Sequence, residues 1–413
     1  MIVLLSDGAG LTARQCATVL SRAGHSVEAL SPSGLCLCRM TRHVRQVHDV
    51  PPVGRDPLGW LDAALDIAAR RHAELLLPVQ EQVTVMSLAR ERIEGAGLLT
   101  AVPDFGALAQ VQDKVSAHRT LARVGLPQPP AVVATTAAEL EASSIEAPVF
   151  VKLPIGTASA GVQRVGSRDE LRRLAADYQR EGVFRDGGVL VQQPVRGPLA
   201  MVQSVFAHGE LVAFGACERV REGASGGASH KLGLDLPQAR EHIGRLGADL
   251  GWHGALSADV ILSQAGPQFI DINPRLVEPV NALASGVDLV RALVEVARSG
   301  PVRPQAGGRP GVRTHQLLLA ILGAAQHGGR RDVARELRHA LLRRGAYLGS
   351  REELTPGGGD LLAGLPVAVT GLATLIRPAA WRYFTSGSTG AYSLSPDAWR
   401  QLAAAWGESR LKV

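Results

Sequence analysis

Aromatic residues make up only 4% of the 413-residue chain, which leaves no stacking platform for single-stranded nucleic acid. Cysteine is scarce too. Cys16, Cys36, Cys38 and Cys217 show neither the paired CxxC spacing of a zinc site nor a disulfide framework, which fits a reducing cytoplasm. Cys36 and Cys38, two residues apart, are expected on one face of a strand, packed in the core. No apolar run reaches the roughly 18–20 residues that span a bilayer, and the chain opens on a strand instead of a charged leader, so a soluble protein without a transmembrane segment is expected. The loops carry no Ser-His-Asp or Cys-His arrangement, and the GxxxxGK[ST] order of a P-loop is absent. His230 has no second His or Cys at a metal-ligand spacing.

A hydrophobic share of 46% and a charged share of 20% describe a globular protein with ample material for a core. The net charge of +6 suits small anionic ligands such as nucleotides.

Ile2–Leu5 reads as a buried strand, residues 12–23 as a helix stopped by Gly24, and residues 26–30 as the next strand. Helices over 60–71 and 80–94 flank a strand at 74–78, so residues 1–105 form a parallel-sheet α/β domain. A second unit, 106–300, opens with a helix that carries Asp113-Lys114. In it, the strand 148–152 ends in Lys152 and runs into a Gly/Ser turn containing Gly156, Ser159 and Gly161, which can lay backbone N–H groups on a polyphosphate. The strand 188–192 enters a connector, Gln192-Gln193-Pro194-Val195, that its prolines keep out of a central ladder and whose backbone is free to pair with a base edge. Residues 202–206 and 211–217 read as antiparallel strands. Residues 219–231 read as a polar Gly/Ser loop, a lid that can bring Arg219, Arg221 or Lys231 onto an anion.

The strongest signal is the stretch 269–275. Ile270 and Ile272 alternate with Asp271, Asn273 and Arg275, so one strand face meets the core and the other presents a carboxylate, an amide oxygen and a guanidinium. Residues 258–262 form a second strand and 263–267 a turn, a hairpin that sets Asp259 beside Asp271. Hard oxygen ligands of this kind suit Mg²⁺, and an adjacent arginine suits a phosphate or acyl phosphate.

From Lys114 to Arg275, this order of motifs resembles the ATP-grasp superfamily of carboxylate–amine and carboxylate–thiol ligases, over roughly residues 1–300. Arg275 is similar to the arginine of the carboxylase and carbamoyl-phosphate branch. The resemblance implies a two-lobed ATP-grasp fold with antiparallel sheets, preceded by the α/β domain and followed by a partly helical region, 301–413. It implies ATP with Mg²⁺, or Mn²⁺, as cofactors. Lys114 and Lys152 would hold the α- and β-phosphates, with Gly156, Ser159, Gly161, Gln192, Gln193 and Val195 completing the nucleotide site. Lys231 would meet the γ-phosphate, with Arg219 a further catalytic cation, Asp259, Asp271 and Asn273 would meet the metals, and Arg275 the acyl phosphate. Partners would be a small carboxylate, such as an amino acid or peptide, and an amine, joined as an amide; a homodimer stays open. Two departures keep alternatives in view. Gln192 stands where the family has an acidic adenine contact, and no acid falls near Leu199 or Ala200 for the ribose, which favours a nucleotide sensor on a degenerate fold. Arg275 with Glu278 behind it favours a bicarbonate-using carboligase.

Beyond a Pro/Gly-rich linker at 299–311, residues 314–326 and 331–344 read as amphipathic helices, the second strongly basic. Residues 365–376 read as a buried apolar helix, with an interfacial anchor assisted by Arg343, Arg344 and Arg377 as the alternative.

Overall fold

Three sheets organise the chain in the computed structural model, which describes residues 1–157, 161–355 and 360–411. The first is parallel, with β1 (Ile2–Leu5), β2 (Ser26–Ser31), β3 (Gln46–Asp49) and β4 (Leu75–Leu77) in the order β3-β2-β1-β4. Val3–Leu5 of the inner strand β1 and Leu75–Leu77 of β4 are fully buried, as strands covered by helices on both faces must be. The expected 80–94 helix is two, Val83–Leu88 and Arg90–Gly95, meeting at Ala89.

The second sheet is antiparallel and small: β5 (Ala131–Ala134), β6 (Val149–Lys152), β7 (Val162–Val165) and β8 (Val189–Gln192), in the order β5-β8-β6-β7. Two helices, Ala137–Glu141 and Arg168–Glu181, cover it, and Leu140, Val149, Val151, Leu171, Leu174 and Val191 make a core of its own. A second and larger apolar cluster joins the first sheet's helices, the third sheet and the last helix, where Trp399 and Trp406 meet Phe105 at centroid separations of 5.9 and 5.5 Å.

The third sheet has seven strands, β9 (Leu199–Ala207), β10 (Glu210–Glu222), β11 (Ala228–Leu234), β12 (Gly254–Ser263), β13 (Gly266–Asn273), β14 (Arg313–His315) and β15 (Arg351–Glu352). Their order is β13-β12-β9-β10-β11-β14-β15. Where a mobile lid is expected over 219–231, β10 and β11 pair antiparallel with Arg219 opposite Lys231, and only 223–227 is a turn. The Gly/Ser content misleads because these small residues serve close packing. A Cβ on Gly223 would sit 2.9 Å from the Leu319 carbonyl oxygen.

Two further expectations change. Leu37–Arg39 is a single 3₁₀ turn and not a strand, although Cys36 and Cys38 are both buried. The helix Leu365–Ile376 forms as expected but inside out: it buries Thr370, Gly371 and Thr374 and exposes Leu365, Val369, Leu372 and Ile376. No helix among the described residues is long and apolar enough to cross a membrane.

Candidate functional site

The β12–β13 hairpin forms as the alternation predicts, and Asp259 pairs directly with Asp271 across it. One detail departs from simple alternation. The next pair is Val260 with Phe269, so Ile270 is an extra residue on β13, a bulge. Phe269 therefore fills the core at 0% exposure, and Ile270 turns to the cleft instead of lying beneath it. The bulge also releases the Ile270 carbonyl from the ladder, and the Lys152 ammonium donates to it at 2.7 Å.

Burial, helped by the Asp271 charge opposite, pushes the Asp259 carboxyl up to about 6 against the pull of Arg219, Lys152 and Arg275. Two carboxylates held this close to one another, with the Asn273 side chain lining the same cleft, have the donor set a divalent cation calls for. Among the described residues there is no group of three or more His, Cys, Asp and Glu able to cage a metal, so further ligands would come from a bound phosphate and from water.

Two lysines from separate elements reach this pair. Asp113 caps the helix Lys114–Val124, accepting from the backbone N–H of Val115 and Ser116 at 3.0 and 2.8 Å, which fixes Lys114 in the first turn. Its Nζ donates to the Gly156 carbonyl at 3.1 Å and lies 3.9 Å from Asp271. Lys152, at the end of β6, is 6% exposed; burial lowers its pKa, Asp271 opposes that fall, and Lys114 adds to it. The turn beyond is closed by the Leu153 N–H donating to the Gly161 carbonyl at 2.8 Å, with Gly161 at φ +77°. Gly161 holds the turn without lining the cleft, and Ser159 lies outside the described residues. Gln192, Gln193 and Val195 line the cleft where β8 leaves the small sheet. Gln192 is 3% exposed, and the Gln193 N–H donates to the Pro130 carbonyl at 2.9 Å.

Arg275 is buried, and its Nε donates to Glu81 Oε1 at 3.0 Å, so the first domain supplies its counter-charge. Burial alone would lower its pKa; Glu81 foremost, with Tyr392 and Asp259, together outweigh this and raise it. Beside Glu81, Asp7 ends β1 and accepts from the N–H groups of Ala9 and Gly10 at 3.1 and 2.7 Å; burial pushes its carboxyl up to about 6.

Arg219 lines the cleft and donates to the Gly226 carbonyl at 2.6 Å. Lys231, expected on a γ-phosphate, does not face the cleft. Its side chain is fully buried between Glu278 and Glu353, the latter at 2.7 Å, and these carboxylates hold its pKa well above the usual lysine range against the effect of burial. Paired with Arg219 on β10, it shares that residue's face of the sheet, but its ammonium is taken up by Glu278, which itself lines the cleft, and by Glu353, 122 residues away. Glu278 lines the cleft in a left-handed conformation, φ 53°, with Lys231 and Gln316 on its Oε2.

The cleft encloses about 1390 Å³. Sequence reading missed its far wall: Leu318, Leu322, Val369, Phe384 and Tyr392 come from the last hundred residues, and Gln80 and Leu37 from the first domain. None belongs to a motif, and only the tertiary fold brings them to residues 259–275.

The family model of the ATP-grasp domain matches residues 111–279, the interval from Lys114 to Glu278. The chain carries an ATP-grasp domain. Urea amidolyase of Saccharomyces cerevisiae is 23% identical over 257 residues, 57% of this chain and 14% of that one. The chain thus spans a small part of that relative's length. Among solved structures, the biotin carboxylase domain of Hydrogenobacter thermophilus 2-oxoglutarate carboxylase, bound to MgADP, ADP and bicarbonate, aligns with TM-score 0.60. The identity is 19%, over 76% of this chain and 73% of that one. Carboxyaminoimidazole ribonucleotide synthase from Aspergillus clavatus, complexed with ATP, aligns with TM-score 0.59 at 16% identity, over 76% of this chain and 81% of that one. At these identities the ATP-grasp likeness is one of fold.

Proposed function

We propose that the protein is an ATP-dependent ligase that activates a carboxylate as an acyl phosphate and joins it to an amine, releasing ADP and phosphate. The observation that carries this is the meeting of Lys114, Lys152, Asp259, Asp271 and Arg275 around one cleft, from three separate parts of the fold. Asp259, Asp271 and the Asn273 oxygen would hold Mg²⁺, which would neutralise phosphate charge when bound.

The residues of the chain supply position and charge. Lys114 and Lys152 would bind phosphate oxygens, and each is already aimed by a backbone carbonyl, of Gly156 and Ile270. The Gln192–Val195 connector would take the adenine edge; a glutamine carbonyl accepts from an amino group as a carboxylate does. Arg275, oriented by Glu81, would hold the substrate carboxylate while its oxygen attacks the γ-phosphorus and the bond to ADP breaks. The amine nitrogen then attacks the acyl carbon, the bond to phosphate breaks, and the nitrogen loses a proton. No side-chain nucleophile is required. With Lys231 held by Glu278 and Glu353, Arg219 is the cation of the β10–β11 hairpin that would meet the transferred phosphoryl group.

A bicarbonate-using carboligase is the second reading. It is favoured by Arg275 and Glu278 lining the same cleft and by the bicarbonate bound in the Hydrogenobacter domain, which is also a dimer. The experiment is phosphate release from ATP and Mg²⁺, with pools of carboxylates and amines, with and without bicarbonate. Release requiring both an acid and an amine supports the ligase; release requiring bicarbonate supports the carboligase. ATP binding without release from any pool would overturn both.

A further inference from the structure

Beyond the phosphate end, the cleft changes character. Its far half is walled by Leu318, Leu319 and Leu322 on one C-terminal helix and by Leu365, Val369 and Phe384 on two others. From the first domain, Leu11 and Leu37 pack against Leu318 and Leu322 in one apolar cluster, and Leu35 and Met40 continue the lining. Nothing in ATP needs such a surface, since its polar groups are met on the Lys114, Lys152 and Gln192 side. A second observation is independent of the cavity. Large apolar side chains stand exposed at its mouth on three separate segments: Leu35 at 78%, Leu365 at 45%, Val369 at 48% and Tyr383 at 75%. The helix carrying two of them buries Thr370, Gly371 and Thr374 and leaves Leu365 and Val369 exposed beside the cleft. Exposed apolar side chains that converge on a cavity mark a ligand surface.

Resting on the ligase reading above, we infer that the carboxylate substrate carries a long or bulky hydrocarbon group, an acyl chain or its equivalent. Its head meets Arg275 and its tail lies along the C-terminal helices. The volume of about 1390 Å³ exceeds the roughly 300–1,000 Å³ of an ordinary small-ligand site, so nucleotide and tail fit side by side. The tail, by covering the mouth, would also keep water from the acyl phosphate.

The test uses one head and a graded tail: N-acetyl-, N-hexanoyl- and N-decanoylglycine, with the full chain, ATP, Mg²⁺ and a pool of amino acids as amines. Phosphate release is measured alongside calorimetric binding of each acid in the presence of ADP. The expected result is that both KM and Kd fall with length, by up to about fourfold per added CH₂ where the tail is fully buried. Val369→Glu, at a half-exposed position that tolerates a charge, should abolish the length dependence, with ADP affinity as the control for folding. Length-dependent binding lost in V369E, without release from any acid, would uphold the apolar site and overturn the ligase reading. Release equally fast with all three acids would overturn the apolar site and uphold the ligase. N-decanoylglycine binding equally to wild type and V369E would also overturn the apolar site.

Discussion

Asp259 and Asp271 face each other as a direct cross-strand pair at the edge of the seven-stranded sheet, one residue before the bulge that frees the Ile270 carbonyl. Like charges opposite one another destabilise a sheet, so the pair stores repulsion that a cation would relieve. Asp271→Asn should therefore leave the protein without metal as stable as wild type or more so, while lowering Mg²⁺-dependent phosphate release by about 100-fold or more, since even outer partners of a metal are worth about 10–100-fold. Melting curves with and without Mg²⁺, set beside turnover, check this. A variant that melts lower without metal yet turns over normally would sink the assignment.

On the proposed reading, a proton and a cation would compete for Asp259. Its folded-state pKa of about 6 lies above the ordinary 3.8, so below pH 6 the site holds a proton that a metal must displace. Mg²⁺ affinity should rise with pH through 6 and level off above 7, with about a tenfold difference between pH 5 and 7 for one displaced proton. Without metal the sign reverses for stability. The folded state binds the proton more tightly than the unfolded chain, so this contribution falls as pH rises from about 4 to 6, and Asp7 adds to the same slope. Metal titration at three pH values, and urea unfolding across that window without metal, measure the two effects.

Arg275 and Glu81 link the ATP-grasp domain to the first domain through a buried ion pair at 3.0 Å. Removing one partner strands a charge, so Arg275→Ala should destabilise by about 3–5 kcal/mol. Adding Glu81→Ala to it should recover part of the loss. Urea denaturation of the two singles and the double reads the coupling; additive losses would mean that the pair is not coupled.

Lys231 is expected to act on stability and not on nucleotide affinity. Lys231→Met leaves Glu278 and Glu353 unneutralised in the interior and should cost about 3–5 kcal/mol, with Kd for ATP unchanged in the folded protein. Pairing it with Glu353→Gln should restore part of the stability. Unchanged stability with a large loss of ATP affinity, ADP affinity being kept, would return Lys231 to the γ-phosphate.

Much of the cleft's polar side was legible in the sequence because its chemistry sits in short contiguous motifs. The alternation around Asp271, the Asp113 cap ahead of Lys114 and the strand ending in Lys152 are each local, and each forms. What was not legible depends on partners far along the chain. Alternation cannot reveal the Ile270 bulge, because Val260 skipping to Phe269 is a property of the pairing. Lys231 sits in a Gly/Ser-rich stretch that imitates a lid, and only Glu353, 122 residues on, shows that it is buried. The helix 365–376 has the composition of a buried element, yet hydrophobicity alone does not say which side faces in. Thr370 and Thr374 do, once the cavity beside Val369 is seen.

The separate core of the small sheet, residues 134–191, makes it a cooperative unit that shares little apolar packing with the rest. Amide hydrogen exchange should divide accordingly into two tiers, with β5–β8 losing protection together and β9, β10 and β12 keeping theirs to the global limit. Lys152 rides on the faster tier and the Ile270 carbonyl that receives it on the slower one. A nucleotide gripped by both would tie the tiers together, so the narrowing of the gap between their exchange rates is a readout of occupancy that needs no turnover.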